Sequence, residues 1–249
     1  MEYPQGLHRT TTETQVTDHL LIATAADCQK GYYPDLQAQV IAAGIDFLYQ
    51  PIVPFSWKKL IQWELDMARS YPNALIAFCD SWDMLYFGSR KEFEDVVGAQ
   101  PLLLHAEKAC WPHPEKAARY ASFSSPWKYV NGTGPAGLGS AIAEAIEYGM
   151  AHFPITDDSA DVHDLSKDND QRFFTDLYLS GYGALDTQCR LSQSLVQAAN
   201  GDFAVKDGRL MNKITGSQPL FVHANGASAM IGWKGLMDML KDYRPERPW

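Results

Sequence analysis

The chain has 249 residues, 46% hydrophobic, 20% charged and 12% aromatic, with a formal net charge of -9 at pH 7. Such a composition excludes a disordered chain, and the acidic balance argues against non-specific nucleic-acid binding through a basic surface. A run of about 18 apolar residues that could cross a bilayer is missing, and Cys28, Cys79, Cys110 and Cys189 form no CxxC pair, so neither a membrane span nor a cysteine-built zinc site is expected.

Residues 1–17 are polar and threonine-rich and read as a loose lead-in. A basic stretch followed by an apolar one, as in a secretory signal, does not occur there, so a cytoplasmic location is expected. His19 to Ala26 reads as a strand with Leu-Leu-Ile-Ala at its centre, and Thr24 to Asp27 stand at its C-terminal end. Gly31 to Ala43 reads as a helix, and Ile45 to Tyr49 as a short strand closed by Pro51 and Pro54. Trp57 to Ser70 carries a helical apolar stripe at Trp57, Leu60, Ile61, Trp63, Leu65 and Met67. Ala74 to Cys79 is an uncharged apolar run that reads as a buried central strand.

Lys91 to Val97 reads as a helix and Pro101 to His105 as a strand. Glu107 to Trp127 mixes prolines and aromatics without a period, which predicts a structured loop over a cleft. Asn131 opens a glycine-rich turn that leads into a helix from Ser140 to Met150. Residues 154–170 are acidic, Gln171 to Leu179 is helical, Leu220 to His223 is a last strand, and Ile231 to Lys241 a last helix. Alternating strands and helices predict one α/β domain with a mostly parallel central sheet flanked by helices.

Chemistry concentrates just after the central strand, where Asp80 and Asp83 flank Trp82. In open α/β sheets, ligands bind at the C-terminal ends of strands. Two carboxylates placed together there repel unless a cation lies between them, which points to a divalent metal. The competing reading makes Asp80 a helix N-cap or turn residue and Asp83 a surface charge. A phosphatase-type nucleophile is disfavoured, because Trp82 stands where a second carboxylate would be needed. His223 closes an apolar strand, and a histidine nitrogen with two aspartate oxygens suits Mn²⁺. Gly132-Thr-Gly134-Pro-Ala-Gly137 fits a G-x-G-x-x-G fingerprint. About half the chain precedes it, however, so a glycine-rich turn that lets backbone approach a substrate is favoured over dinucleotide binding.

Several stretches together resemble the glycosyltransferase domain of the procollagen lysyl hydroxylases. They are Phe78-Cys-Asp-Ser-Trp-Asp, Ala106-Glu-Lys-Ala-Cys-Trp-Pro112, the turn at Asn131, Asp168-Asn-Asp-Gln171, Leu185-Asp-x-x-x-Arg190-x-x-Gln193 and Val222-His-Ala-Asn-Gly226. The likeness runs from about Leu20 to Asn225. It implies a stand-alone domain of GT-A type that binds a UDP-sugar, expected to be UDP-glucose, with Mn²⁺ held at a D-x-x-D motif by Asp80, Asp83 and His223. It implies that Trp82 stacks on uracil, where the family commonly has Tyr, and that Thr24, Lys59, Asn131, Gly132, Asn225 and Gly226 bind the nucleotide-sugar. Asp168, Asp170, Glu107 and Trp111 would line the reacting sugar. Asn169 departs from the family's unbroken aspartate run. The implied acceptor is a hydroxyl on a glycoconjugate, a peptide or a modified DNA base; for the last, Lys58, Lys59, Lys108, Lys116, Arg119 and Lys128 are the clustered basic residues. A bacterial or viral source fits this reading, and an oligomer is compatible with it. A non-catalytic nucleotide-sugar-binding domain is the alternative of a different class.

Overall fold

Strands β1 (Leu20–Ala26) and β3 (Leu75–Phe78) are mostly apolar runs, and β2 (Asp46–Pro51) is a more polar edge strand with Phe47, Leu48 and Tyr49 at its centre; β1 pairs in parallel with both. In the computed structural model, which describes residues 19–155 and 169–244, they build one side of a six-stranded sheet. Its other strands are β5 (Leu102–Glu107), β6 (Tyr129–Leu138) and β7 (Ala184–Leu185), and the order is β2-β1-β3-β6-β5-β7. Only β6 runs against the rest, pairing antiparallel with both β3 and β5. The lead-in at 1–17 and Asp168, with most of the acidic stretch, lie outside the described residues.

Period-2 alternation sorts the strand residues onto two apolar faces. Leu21, Ala23, Ile76, Phe78, Leu102 and Leu104 face α2 (Trp57–Ser70), α4 (Gly139–His152) and α5 (Asp170–Leu179). Leu20, Ile22, Ala77 and Leu103 face α1 (Tyr33–Ala42) and α3 (Arg90–Val97). Helix α2 starts where the Ser56 hydroxyl accepts from Lys59 N at 3.2 Å, and α3 starts with a capping box between Ser89 and Glu92. Burying a side chain such as Phe78, which is 1% exposed, contributes about 2–3 kcal/mol.

A second sheet is packed against the first. Strand β4 (Met84–Tyr86) follows Asp83 directly, and β11 (Phe221–His223) lies between β4 and β8 (Ser192–Ser194). The rings of Tyr86 and Phe221 meet edge to face at 4.9 Å. Beneath this sheet, Trp127, Phe203, Leu210 and Val222 form a third apolar cluster with Met237 and Leu240. Phe203 and Leu210 belong to the hairpin of β9 (Phe203–Lys206) and β10 (Arg209–Asn212). Met237 and Leu240 belong to α7 (Lys234–Leu240), so the last expected helix is two pieces, α6 (Ala227–Gly232) and α7, divided at Trp233.

The glycine-rich segment is not a turn but the body of β6. Leu104 pairs with Pro135 and Ala106 with Val130, so residues 131–134 bulge opposite His105 alone. Glycine is needed here because neighbours press on the backbone. A Cβ on Gly134, at φ +99, would stand 2.7 Å from both Glu64 Oε1 and Phe78 Cβ; one on Gly132 would stand 2.9 Å from Asp170 Oδ1. The glycines therefore admit protein groups, and the strand offers no phosphate-cradling loop of the dinucleotide kind.

Candidate active site

Pairing of β11 with β4 assembles the acidic cluster. His223 is in register with Met84, and Ala224 N donates to Asp83 O at 2.8 Å, so the strand end that carries His223 lies beside Asp83. Asp80 and Asp83 stand in the β3–β4 connection, where no helix begins, so Asp80 is not a helix N-cap. His223 Nε2 is 3.1 Å from Asp80 Oδ2 and 3.3 Å from Asp83 Oδ1. One ligand atom from each of the three lies within 4.8 Å of the others.

The electrostatics follow from that convergence. Burial by itself would lower the His223 pKa, but the charges and hydrogen bonds of Asp83 and Asp80 outweigh it and lift it to about 10. Burial pushes the Asp80 carboxyl up, yet the His223 hydrogen bond and charge, with a bond from Thr133, hold it below its ordinary value. Two carboxylates thus require a positive charge at this point. A proton on His223 supplies it in the metal-free protein, and two oxygens with one imidazole nitrogen are also a donor set suited to Mn²⁺.

Beside the cluster lies a second acidic group with a different environment. Glu107, 3% exposed, ends β5. Its Oε2 accepts from Asn131 Nδ2 and Asn225 Nδ2, each at 2.7 Å, and its Oε1 from Gln171 Nε2 at 2.8 Å. Ser194 Oγ in turn donates to Asn225 Oδ1 at 2.7 Å. Burial raises the Glu107 pKa despite these donors. Asp170, the first residue of α5, packs over Gly132 and accepts from Gln171 N at 2.7 Å. Burial and the charge of Asp80 raise its pKa well above the carboxylate norm. Asn169, the departure from the family pattern, caps α5 by accepting from Arg172 N at 2.7 Å.

Other expected residues are placed less tightly. The Trp82 indole donates to Cys28 O at 2.8 Å, and Lys30 Nζ covers one face of its ring at 3.4 Å. Thr24 is buried near the end of β1, its side chain beside the Cys79 thiol. Lys59 Nζ, exposed at the start of α2, donates to Pro54 O at 3.0 Å. Gly226, at φ 82, caps α6. Trp111 is half-buried between β5 and the 3-10 turn at Pro114–Tyr120. Sequence reasoning missed Thr133, whose hydroxyl joins the two acidic groups. It also missed Gln171 as a partner of Glu107, although both stand inside the motif stretches.

Of the six basic residues proposed for a nucleic-acid groove, two are paired with carboxylates. Lys108 pairs with Asp202 at 2.6 Å and Lys116 with Asp176 at 2.5 Å, and Arg119 donates to Leu179 O at 2.9 Å. Among the described residues no helix is long and apolar enough to cross a membrane.

Comparison with known proteins gives three findings. The family model described as the PLOD GT domain matches residues 58–247. Protein R699 of Acanthamoeba polyphaga mimivirus, described as uncharacterized, is 26% identical over 181 residues, covering 71% of this chain and 35% of that one. The Homo sapiens protein LH3, a multifunctional procollagen lysine hydroxylase and glycosyltransferase, is 27% identical over 178 residues, covering 67% of this chain and 22% of that one. The chain thus spans about a third of the viral relative and about a fifth of the human one. Among solved structures, a glycosyltransferase involved in the glycosylation of the major capsid of PBCV-1 is 15% identical, with a TM-score of 0.49, over 85% of this chain and 96% of that one.

Proposed function

The chain belongs to the PLOD GT domain family, and on that premise we propose that it is a metal-dependent glycosyltransferase moving a hexose, glucose by expectation, from a UDP-sugar to a hydroxyl acceptor with retention of configuration. The observation that carries this reading is the meeting of Asp80, Asp83 and His223 from two sheets in one cluster with ligand atoms within 4.8 Å. Those three residues would hold Mn²⁺, which when bound supplies Lewis-acid stabilisation of the charge leaving on the diphosphate.

The other residues act by position. Glu107 has both oxygens occupied by amide donors, so it serves as a frame for Asn131, Gln171 and Asn225 rather than as a nucleophile. Asp170, at the edge of that frame, faces the sugar; with a cation at the Asp80–Asp83 pair offsetting the Asp80 charge that helps raise its pKa, its carboxylate would stabilise positive charge at the anomeric carbon. With Glu107 so occupied, attack on the face that UDP leaves fits better than a double displacement through it. The departing phosphate oxygen then accepts the proton of the acceptor hydroxyl. Trp82 stacks on the uracil, Thr24, Lys59, Gly132 and Gly226 border the nucleotide-sugar, and Trp111 covers the sugar and excludes water. Pairing of Lys108 and Lys116 with aspartates favours a glycoconjugate or peptide acceptor over a DNA base.

UDP release from a panel of UDP-sugars, with and without Mn²⁺, tests the reading. Release from one sugar that depends on Mn²⁺ supports it. Tight UDP binding with neither hydrolysis nor transfer would replace it with the non-catalytic domain.

A further inference from the structure

We propose that Thr133 is a positioning residue of the metal centre, fixing which nitrogen of His223 faces the cation; this rests on the metal reading above. The imidazole has two nitrogens, and a ligand nitrogen must present a bare lone pair, so the other must carry the proton. Nε2 faces Asp80 and Asp83 at 3.1 and 3.3 Å, and Nδ1 faces Thr133 Oγ1 at 3.0 Å.

The direction of each bond can be worked out from the far end. A carboxylate only accepts, so the Asn131 side chain must turn its Nδ2 toward Glu107, at 2.7 Å. Its Oδ1 therefore faces Thr133, where it already accepts from Thr133 N at 3.1 Å. The Thr133 hydroxyl lies in short contact with that Oδ1 and 3.1 Å from Asp80 Oδ2, and both oxygens are acceptors for its one proton. Whichever takes it, an oxygen lone pair is left for Nδ1, which must then be the protonated nitrogen, leaving Nε2 bare for the metal.

His223, Thr133, Asn131 and Glu107 are all buried, at 2%, 5%, 4% and 3% exposure, so water does not compete for these bonds. Asn131 and Thr133 both lie within the 131–134 bulge of β6, and each bonds a partner from another segment, Glu107 and His223. The result is one line of directed bonds from a metal ligand to the frame of the sugar site.

The test is Mn²⁺ binding to the whole chain, read by the free-Mn²⁺ electron paramagnetic resonance signal, for wild type, Thr133→Val and Thr133→Ser. Valine keeps the shape and removes the hydroxyl. Its affinity should fall by about 10- to 100-fold, as for other outer partners of metal-bound histidines. Serine should restore binding to within about threefold of wild type, and melting in EDTA should show all three folded. Equal binding by wild type and Thr133→Val overturns this inference alone. Absence of binding by the wild type overturns the metal reading and the inference with it. If Thr133→Val does not fold, nitrogen-15 spectra of the Mg²⁺-loaded wild type decide. A protonated Nδ1 and bare Nε2 at His223 support the assignment, and the reverse tautomer overturns it.

Discussion

Glu107 and the Asp80–Asp83 pair are both acidic groups at the C-terminal ends of strands of one sheet, yet they solve the problem of a buried charge in opposite ways. Glu107 is saturated by three neutral amides drawn from β6, α5 and the segment after β11. The Asp80 side chain is 43% exposed and meets a second carboxylate and a histidine. An amide-filled carboxylate needs no cation and can serve as geometry. A carboxylate pair with open lone pairs calls for positive charge, and that demand is what a metal or a proton on His223 meets. Thr133 stands between the two solutions, bonded to Asp80 and His223 on one side and to Asn131, a donor to Glu107, on the other.

Asp83→Ala cuts most deeply across this contrast. It removes a proposed metal ligand and should lower Mn²⁺-dependent UDP release by about 100-fold or more, since such charge stabilisation is worth several kcal/mol. Melting in EDTA should fall below wild type, because the carboxylate that most strongly holds the proton on buried His223 is lost, and circular dichroism at the assay temperature should show the variant still folded. Retained activity would show that the open pair is not where catalysis depends on a cation.

Glu107→Gln sharpens the other side. It replaces an acceptor by an amide whose NH₂ must face at least one of the donors Asn131, Asn225 and Gln171. A buried donor facing a donor should cost about 2 kcal/mol, a fall of about 4–8 °C in melting temperature for a chain of this size. Calorimetry checks it. A variant as stable as wild type would mean the amides rotate freely and the frame is not rigid.

These two acidic groups also differ in how far they could be read in advance. The D-x-x-D pair stands out because it interrupts an apolar run, and β1, α2 and β3 follow from plain periodicity. Glu107 was visible as a residue but not as a hub, since its donors Asn131, Gln171 and Asn225 come from distant segments that only the fold unites. Strand β6 was hidden for a physical reason. Glycines weaken strand propensity, and what selects them here is the approach of Asp170 and Glu64, which no local pattern shows. Strands β4, β7, β8, β9 and β10 are at most four residues long, too short for a period to register. Their pairing depends on contacts made elsewhere, so β4, which sets the site together with the expected strand β11, does not announce itself.

The most gradual effect expected is in pH, spread over several units, and it separates a proton from a metal at the open pair. With its pKa raised to about 10 from an ordinary 6.5, His223 binds its proton more tightly in the folded chain. That stability is complete below about pH 6.5 and is lost as pH rises toward 10, so the metal-free protein should melt at lower temperature across that window. Mn²⁺ must displace the same proton. Its affinity should therefore climb with pH, by up to about tenfold per unit, with close to one proton released per ion bound. Calorimetric titrations in buffers of different ionisation enthalpy count that proton. Glu107 is the opposite kind of group: burial raises its carboxyl pKa, so the folded chain keeps a proton that the unfolded chain would already have released. Mn²⁺ affinity that did not vary between pH 6.5 and 9 would mean the ion binds without evicting the His223 proton. The carboxylates would then hold it without the imidazole.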